Sequence, residues 1–188
     1  KNYSSGNWGS KKVIASNKYV TKDIKVDNFK KISVAGSPDV TFTQKSGRPE
    51  VEVYTSDNII DLLDIKVKDN TLYIGFKKDV NVSYKKLEVR VSAETLNGIS
   101  GDIKGSGIKC NDMKVSVAGS GDINADNITC NNLKVSVAGS GDMVLRNVTA
   151  TGTEASVAGS GSATITGTTQ TATYSVAGSG DLLTEGYE

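Results

Sequence analysis

Through most of the chain apolar and polar residues alternate, and the alternation breaks every few residues at Gly, Ser, Asn or Asp. In VSVAGSGDINADNITCNNLK the apolar positions are Val115 and Val117, Ile123 and Ala125, Ile128 and Cys130, then Leu133. A period of two puts alternate side chains on opposite faces of a strand, and AGSGD, ADN and CNN hold the residues that turn a chain. Three short strands and three turns in about 20 residues describe one coil of a parallel β-helix.

The unit recurs. SVAGSGDI begins at Ser116, SVAGSGDM at Ser136, SVAGSGSA at Ser156 and SVAGSGDL at Ser175, at steps of 20, 20 and 19 residues. A degenerate SGDI begins at Ser100 and an outlying SVAGSPDV at Ser33. A fixed period of this length marks a solenoid. Leucine-rich repeats share the length but need Leu at set offsets, where this chain has Val, Ala and Ile. Offset by one period, Ile103, Ile123, Met143, Ala163 and Leu182 form a column. Val117, Val137, Val157 and Val176 form a second, and Ile108, Ile128 and Val148 a third. Met113 lines up with Leu133, and Cys110 with Cys130 and Ala150. Stacked at ~4.8 Å, such columns make a continuous core. Ala163, Ile165 and Thr168 are expected to face inward in the last coils and to narrow it.

The first half reads as longer strands. Residues 40–44, 50–55 and 87–91 are strands, and residues 65–68 and 71–76 flank a DN turn as a hairpin. SDNIIDLLD, residues 56–64, is the one helix-like stretch, with Ser56 or Asp57 as its cap. The expected fold is all-β: a right-handed parallel β-helix-like solenoid with ~20-residue coils and an N-terminal β-rich part with hairpins. Residues 1–25 are expected to be a tether and leading strand, residues 26–96 a wider cap, and residues 97–188 the regular coils, the last two forming one domain. The closing LLTEGYE is read as an incomplete final coil.

Composition narrows the chemistry. Among 188 residues there is no His, which removes Ser-His-Asp and Cys-His catalysis and His-ligated zinc. The net charge of +1 argues against a nucleic-acid footprint. No run of apolar residues is long enough for a transmembrane helix. The polar opening KNYSSGNWGS resembles a tether left after an export signal is removed. Residues 1–94 carry a net charge of +5 and residues 95–188 a net charge of −4. Cys110 and Cys130 are too few for a disulfide framework, and parallel Cβ vectors disfavour a bond between stacked coils, so both are expected as packed thiols.

Only the repeated AGSGD is dense enough to carry chemistry. Asp102, Asp122, Asp142 and Asp181 fall in one column, interrupted by Ser162; Ser100, Ser120, Ser140, Ser160 and Ser179 fall in another. Carboxylates at ~4.8 Å repel unless something offsets the charge. Acceptance of backbone N–H bonds at the turn is the expected answer. Calcium bridging is a second, although the nine-residue calcium-roll spacing is missing. A catalytic carboxylate pair is a third, although every coil offers the same Asp. No residue is assigned a catalytic or cofactor-binding role, and these four Asp are the metal candidates. The pairs Lys11–Lys12, Lys30–Lys31, Lys77–Lys78 and Lys85–Lys86 flank strands as edge protection. Their alternative is an anionic glycan or lipid surface, with Tyr54, Tyr73, Phe76 and Tyr84 as stacking partners or as cap core.

FKKISVAGSPDVTFTQ, EVEVYTSDN, the DNTLYI hairpin and the SVAGSGD units together resemble the auto-transporter adhesin, head GIN domain family, over roughly Val26 to the end. The resemblance implies a β-helix-like fold and exported proteins of Bacteroidetes, often lipoproteins, in the periplasm, at the outer membrane or at the cell surface. It brings no ligand or catalytic residues. The expected function is a non-catalytic adhesin-like or scaffolding module that binds an extracellular glycan or protein and is able to self-associate. A polysaccharide-degrading β-helix, similar to a pectin lyase or hydrolase and using Asp142 and Arg146, is the enzyme alternative. A lipid- or glycolipid-binding module is the other.

Overall fold

The computed structural model describes residues 11–184 and 186–187; the expected tether over residues 1–10 lies outside them. The strands are β1 (Lys11–Ile14), β2 (Tyr19–Ile24), β3 (Lys31–Val34), β4 (Asp39–Gln44), β5 (Glu50–Ser56), β6 (Leu63–Lys68), β7 (Thr71–Phe76), β8 (Val80–Ser83) and β9 (Leu87–Ala93). They continue as β10 (Gly98–Ser100), β11 (Ile103–Lys109), β12 (Asp112–Gly119), β13 (Ile123–Gly139), β14 (Asp142–Gly159), β15 (Ser162–Ala177) and β16 (Asp181–Leu183). The fold is an all-β solenoid of about four turns. Coil stacks on coil in parallel register: Val117 pairs with Val137, Val137 with Val157 and Val157 with Val176.

Each coil has three walls. The first holds residues such as Met113, Val115 and Val117, the second Ile123 and Ala125, the third Ile128 and Cys130; all point inward and are buried. Burial of each larger member contributes about 1.5–3 kcal/mol. Gly119, Gly139, Gly159 and Gly178 turn the corner between the first two walls with positive φ. Asn127 and Asn147 turn the next corner at φ +58° and +53°, a left-handed conformation that Asn tolerates better than other non-Gly residues.

The N-terminal strands stack in an order that chain order does not give. The first-wall edge runs β10, β3, β7, β6, and the second-wall edge runs β11, β4, β9, β5, β2. The coil made by β3 and β4 therefore lies inside the layer made by β7 and β9, which follow it in sequence. After β4 the chain travels outward to the end of the solenoid and returns before β10. β5 and β6 lie antiparallel on β9 and β7 and close that end, and β2 lies antiparallel outside β5. The expected hairpin over 65–76 is β6–β7. β1 and β8 form a separate parallel pair.

Three expectations shift. Ser100 pairs with Ser116, not with the position of Ser120, although Ile103 still pairs with Ile123. The corner of that coil is four residues shorter, and Gly101 makes it at φ +97° with no room for a side chain, since a Cβ there would lie 2.2 Å from the Val34 carbonyl oxygen. Thr168 is exposed and Thr169 faces inward, pairing with Ala150. The 19-residue step falls between Leu145 and Val148, where the register slips by one, so that every later pair is 19 residues apart and Thr169, not Thr168, takes the inward place. The helix expected over 56–64 is only a 3₁₀ turn, Ile60–Leu62, with no side-chain cap. Ser56 Oγ instead donates to the Ser16 carbonyl at 2.6 Å.

Cys130 is buried, and the Cys110 N–H donates to the Thr129 carbonyl on the neighbouring coil. Both cysteines are free thiols. Burial, then the neighbouring Cys110 and Asp112, pushes the Cys130 thiol up to about 11, so it is protonated and inert at neutral pH.

Candidate functional site

The aspartate column stands at the corner between the first and second walls, and it is longer than four residues. Asp142 pairs with Ser162 and Ser162 with Asp181. Asp39, in the same place within SVAGSPDV, adds a member below Asp102 that the 20-residue offset did not reveal. Asp122 Oδ1 accepts the Asp142 N–H at 2.9 Å. Asp142 Oδ1 accepts the Ser162 N–H at 3.2 Å and its hydroxyl at 2.8 Å. Each of these two carboxylates thus ties its own coil to the next, so the backbone N–H bonds expected within the turn are made across coils. Burial, then Asp122 and Asp39, raises the Asp102 carboxyl above its ordinary value, with Lys104 acting the other way.

Among the described residues no three acidic or thiol side chains converge on one point. The calcium candidates Asp102, Asp122, Asp142 and Asp181 form a line in which Oδ1 of Asp122 and of Asp142 is already engaged, and not a cage of six to eight oxygens. Asp142 and Arg146 lie four residues apart on β14, about 13 Å along the strand. Arg146 turns to Asn124 Oδ1 at 2.9 Å and to Asp126 at 3.9 Å.

A second arrangement lies on the outer face of the first wall. Lys31, Gly98, Lys114, Lys134, Glu154 and Thr173 pair in succession and form one outward column. Ser33, Ser100, Ser116, Ser136, Ser156 and Ser175 form the next, with exposed Tyr73 at its β7 end. Beside the lysines, where the third wall turns into the first, runs an open groove of about 600 Å³. Asp112, Asn132, Gly152 and Thr171 line its length, and Asn97 lies at its β3 end. Asn132 Nδ2 donates to Asp112 Oδ1 at 2.9 Å, which holds that side upright. Among the described residues Lys31, Lys114 and Lys134 form no ion pair. Asn97 Oδ1 is the only buried side-chain oxygen or nitrogen there without a hydrogen-bond partner. Sequence reading missed this groove, yet it carried a signal: KISVAG at Lys31 and KVSVAG at Lys114 and Lys134 place a Lys two residues before three of the five Ser-Val-Ala-Gly units.

The aromatic candidates divide. Tyr54 stacks on Tyr19 at 5.6 Å between ring centres. Phe76 and Tyr84 lie 5.7 Å apart against the core, as cap residues. Of the four, Tyr73 is the exposed one.

Residues 28–188 match the family described as "Putative auto-transporter adhesin, head GIN domain". The chain belongs to that family. Its solved structural relatives share the fold. A "Putative lipid binding protein" from Parabacteroides distasonis superposes with a TM-score of 0.82 at 24% identity, covering 92% of this chain and 76% of its own. A "putative adhesin" from Bacteroides fragilis gives 0.70 at 25% identity, over 92% and 99%. One from Parabacteroides merdae gives 0.62 at 19% identity, over 92% and 98%. No curated protein matches the chain. Head GIN membership supports an adhesin-like role and carries no assignment for the lysine column or the aspartate column. No helix among the described residues is long and apolar enough to cross a membrane.

Proposed function

We propose that the chain is a non-catalytic, exported adhesin-like module that binds an acidic glycan along the first-wall groove. One observation carries the reading: Lys31, Lys114 and Lys134 stand in one column, with Gly98 between the first two, and form no ion pair among the described residues, beside a column of serine hydroxyls and an open groove. A periodic row of ammonium and hydroxyl donors suits a polymer with periodic carboxylate or sulfate groups, because each charge meets a charge-assisted donor. Tyr73 offers an aromatic face at one end of the row. A donor on the ligand would also give Asn97 Oδ1 a partner once its side chain turns, and a buried unpaired acceptor costs about 1–3 kcal/mol.

The test is retention of the protein on immobilised acidic and neutral polysaccharides, with and without calcium, while the supernatant is assayed for new reducing or unsaturated ends. Retention on acidic polymers without cleavage is expected. The double substitution Lys114→Glu and Lys134→Glu should weaken it at least tenfold, about 1.4 kcal/mol. Retention on no polysaccharide sinks the glycan reading, and new chain ends sink the non-catalytic one.

A lipid-headgroup reading draws on a different place. Lys86 Nζ lies 5.9 and 5.7 Å from the ring centres of Tyr19 and Tyr54, a cation-aromatic cluster at the N-terminal end. It predicts sedimentation with anionic liposomes that weakens with salt. Protein that stays in the supernatant at low salt removes it.

A further inference from the structure

The first wall ends on a bare strand. Residues 171–177 of β15 pair with β14 on one side, and among the described residues no strand covers the other. The second wall of that last layer is covered by β16, and the third by the bridge from Gly167 to Tyr187. The inward columns therefore run out into solvent: Tyr174 above Ala155 is 40% exposed and Val176 above Val157 is 49% exposed. Exposed strand edges are ordinarily guarded by charge, proline or a bulge. Here no charged residue occurs between Glu154 and Asp181.

We propose that a second copy of this chain covers this edge, the two 171–177 strands pairing antiparallel about a two-fold axis at Tyr174. Three features select a second copy in this orientation. First, the inward residues Ala172, Tyr174 and Val176 are evenly placed about Tyr174. Antiparallel pairing there sets Tyr174 opposite the partner's Tyr174 and Ala172 opposite the partner's Val176, so both sets of inward side chains face one continuous core. Second, the strand is neutral and meets its own copy without repulsion, whereas a charged partner strand would gain nothing from it. Third, the other end of the solenoid is a poor match for it. Its edge strands are β2, with Lys22 and Asp23 exposed, and β6, with Lys66 and Lys68 exposed. End-to-tail stacking would set this neutral edge against a charged one. A pairing of like ends is isologous and closes at the dimer. The lysine and serine columns lie on the same wall, so the pair would present two such faces in line; that consequence alone rests on the glycan reading.

Analytical ultracentrifugation of the whole chain over a concentration series should show a monomer–dimer equilibrium, with no larger species. Val176→Lys should leave the circular dichroism unchanged, since the position is half exposed, and hold the protein as a monomer. Register is tested with Cys110→Ala and Cys130→Ala in place. The axis puts the two residue-174 Cα atoms about 4.5–5.5 Å apart, within disulfide reach, and the two residue-176 Cα atoms about 13 Å apart. Under mild oxidation Tyr174→Cys should cross-link the pair and Val176→Cys should not. A monomer up to hundreds of micromolar, an open-ended series of oligomers, or equal cross-linking at both positions would each overturn the proposal. These readouts use no glycan, so they succeed or fail independently of the polysaccharide assay.

Discussion

At the N-terminal end of the solenoid the chain doubles back on itself, and at the C-terminal end the coils shrink. The first end is closed by antiparallel strands laid over large inward side chains: Phe42, Leu72, Ile74 and Leu87 are all buried there. At the second end the column of Met113 and Leu133 becomes Thr153 and then Ala172, while Ile103 and Ile123 give way to Met143 and Ala163. Tyr187 fills the narrowed interior, its hydroxyl 2.6 Å from Thr153 Oγ1, which is in turn 3.0 Å from Thr169 Oγ1. A stack of near-identical coils has no internal reason to stop. One end stops by reversing strand direction, the other by reducing side-chain volume and leaving one strand unpaired.

The largest expected effect tests how tightly the coils are stacked. A Cβ on Gly141 would lie 2.0 Å from the Gly121 carbonyl oxygen and 2.6 Å from Val117 Cγ1. A Cβ on Gly121 meets nothing closer than 3.7 Å, because the coil beneath it has the shortened corner. In the N-terminal coil the same place holds buried Pro38. Gly141→Ala should cost about 3 kcal/mol or more, beyond ordinary overpacking because the obstacle is backbone. Gly121→Ala should stay within about 0.5 kcal/mol. Urea denaturation of the two variants separates them, and equal losses would mean the corners are not in contact as described.

The next contrast is between the ends themselves. Leu72→Ala opens a cavity under the antiparallel lid and should cost about 2–5 kcal/mol. Val176→Ala, in the same kind of inward column but at the bare edge, should cost about 0.5 kcal/mol or less in dilute monomer. A large loss at Val176 under those conditions would show that the edge is already covered.

Tyr187→Phe removes the hydroxyl from the C-terminal plug while Thr153 and Thr169 keep each other, so about 1 kcal/mol is expected. This end also has a signature in alkali. Burial raises Tyr187 above its ordinary 10.0, with the bonds from Thr153 and Thr169 acting the other way, and raises Cys130 from 9.0 to about 11. The unfolded chain releases these protons at lower pH than the folded one. Stability is thus complete below about pH 9 and declines as pH rises toward 11. The decline should be shallower in Tyr187→Phe and in Cys130→Ala, as read from thermal melts across that range.

Much of this was legible because inward columns repeat. Val117, Val137 and Val157 needed only a 20-residue ruler, Val176 needed its own copy of SVAGSG one residue early, and the β6–β7 hairpin needed only its DN turn. The ruler failed where the coil length changes. Ser100 and Thr168 fall out of place because the shortened corner, and the point within the coil where the 19-residue step is taken, show only when backbone is laid on backbone. The layer order at the N-terminal end was hidden for a related reason: no local pattern says which side of β3 a later strand joins. Lys114 and Lys134 look like solvated surface charges until stacking shows that they line one groove with Lys31.

The smallest expected effect bears on the aspartate column. Asp142 binds the next coil through a single oxygen, Oδ1, which accepts both the Ser162 N–H and the Ser162 hydroxyl. Asn supplies the same carbonyl oxygen without the charge that repels its column neighbours. Asp142→Asn should therefore change stability by no more than about 0.5 kcal/mol, whereas Asp142→Leu, which removes the acceptor, should cost about 1 kcal/mol. A column built to hold a cation behaves differently: the wild type would gain thermal stability with added calcium, and Asp142→Asn would lose that gain. Melting curves of the three proteins with calcium and with chelator decide between the two. Equal curves for wild type and Asp142→Asn, and a small uniform loss in Asp142→Leu, would make the repeated Asp a clasp between coils and leave the lysine groove as the face that meets a ligand.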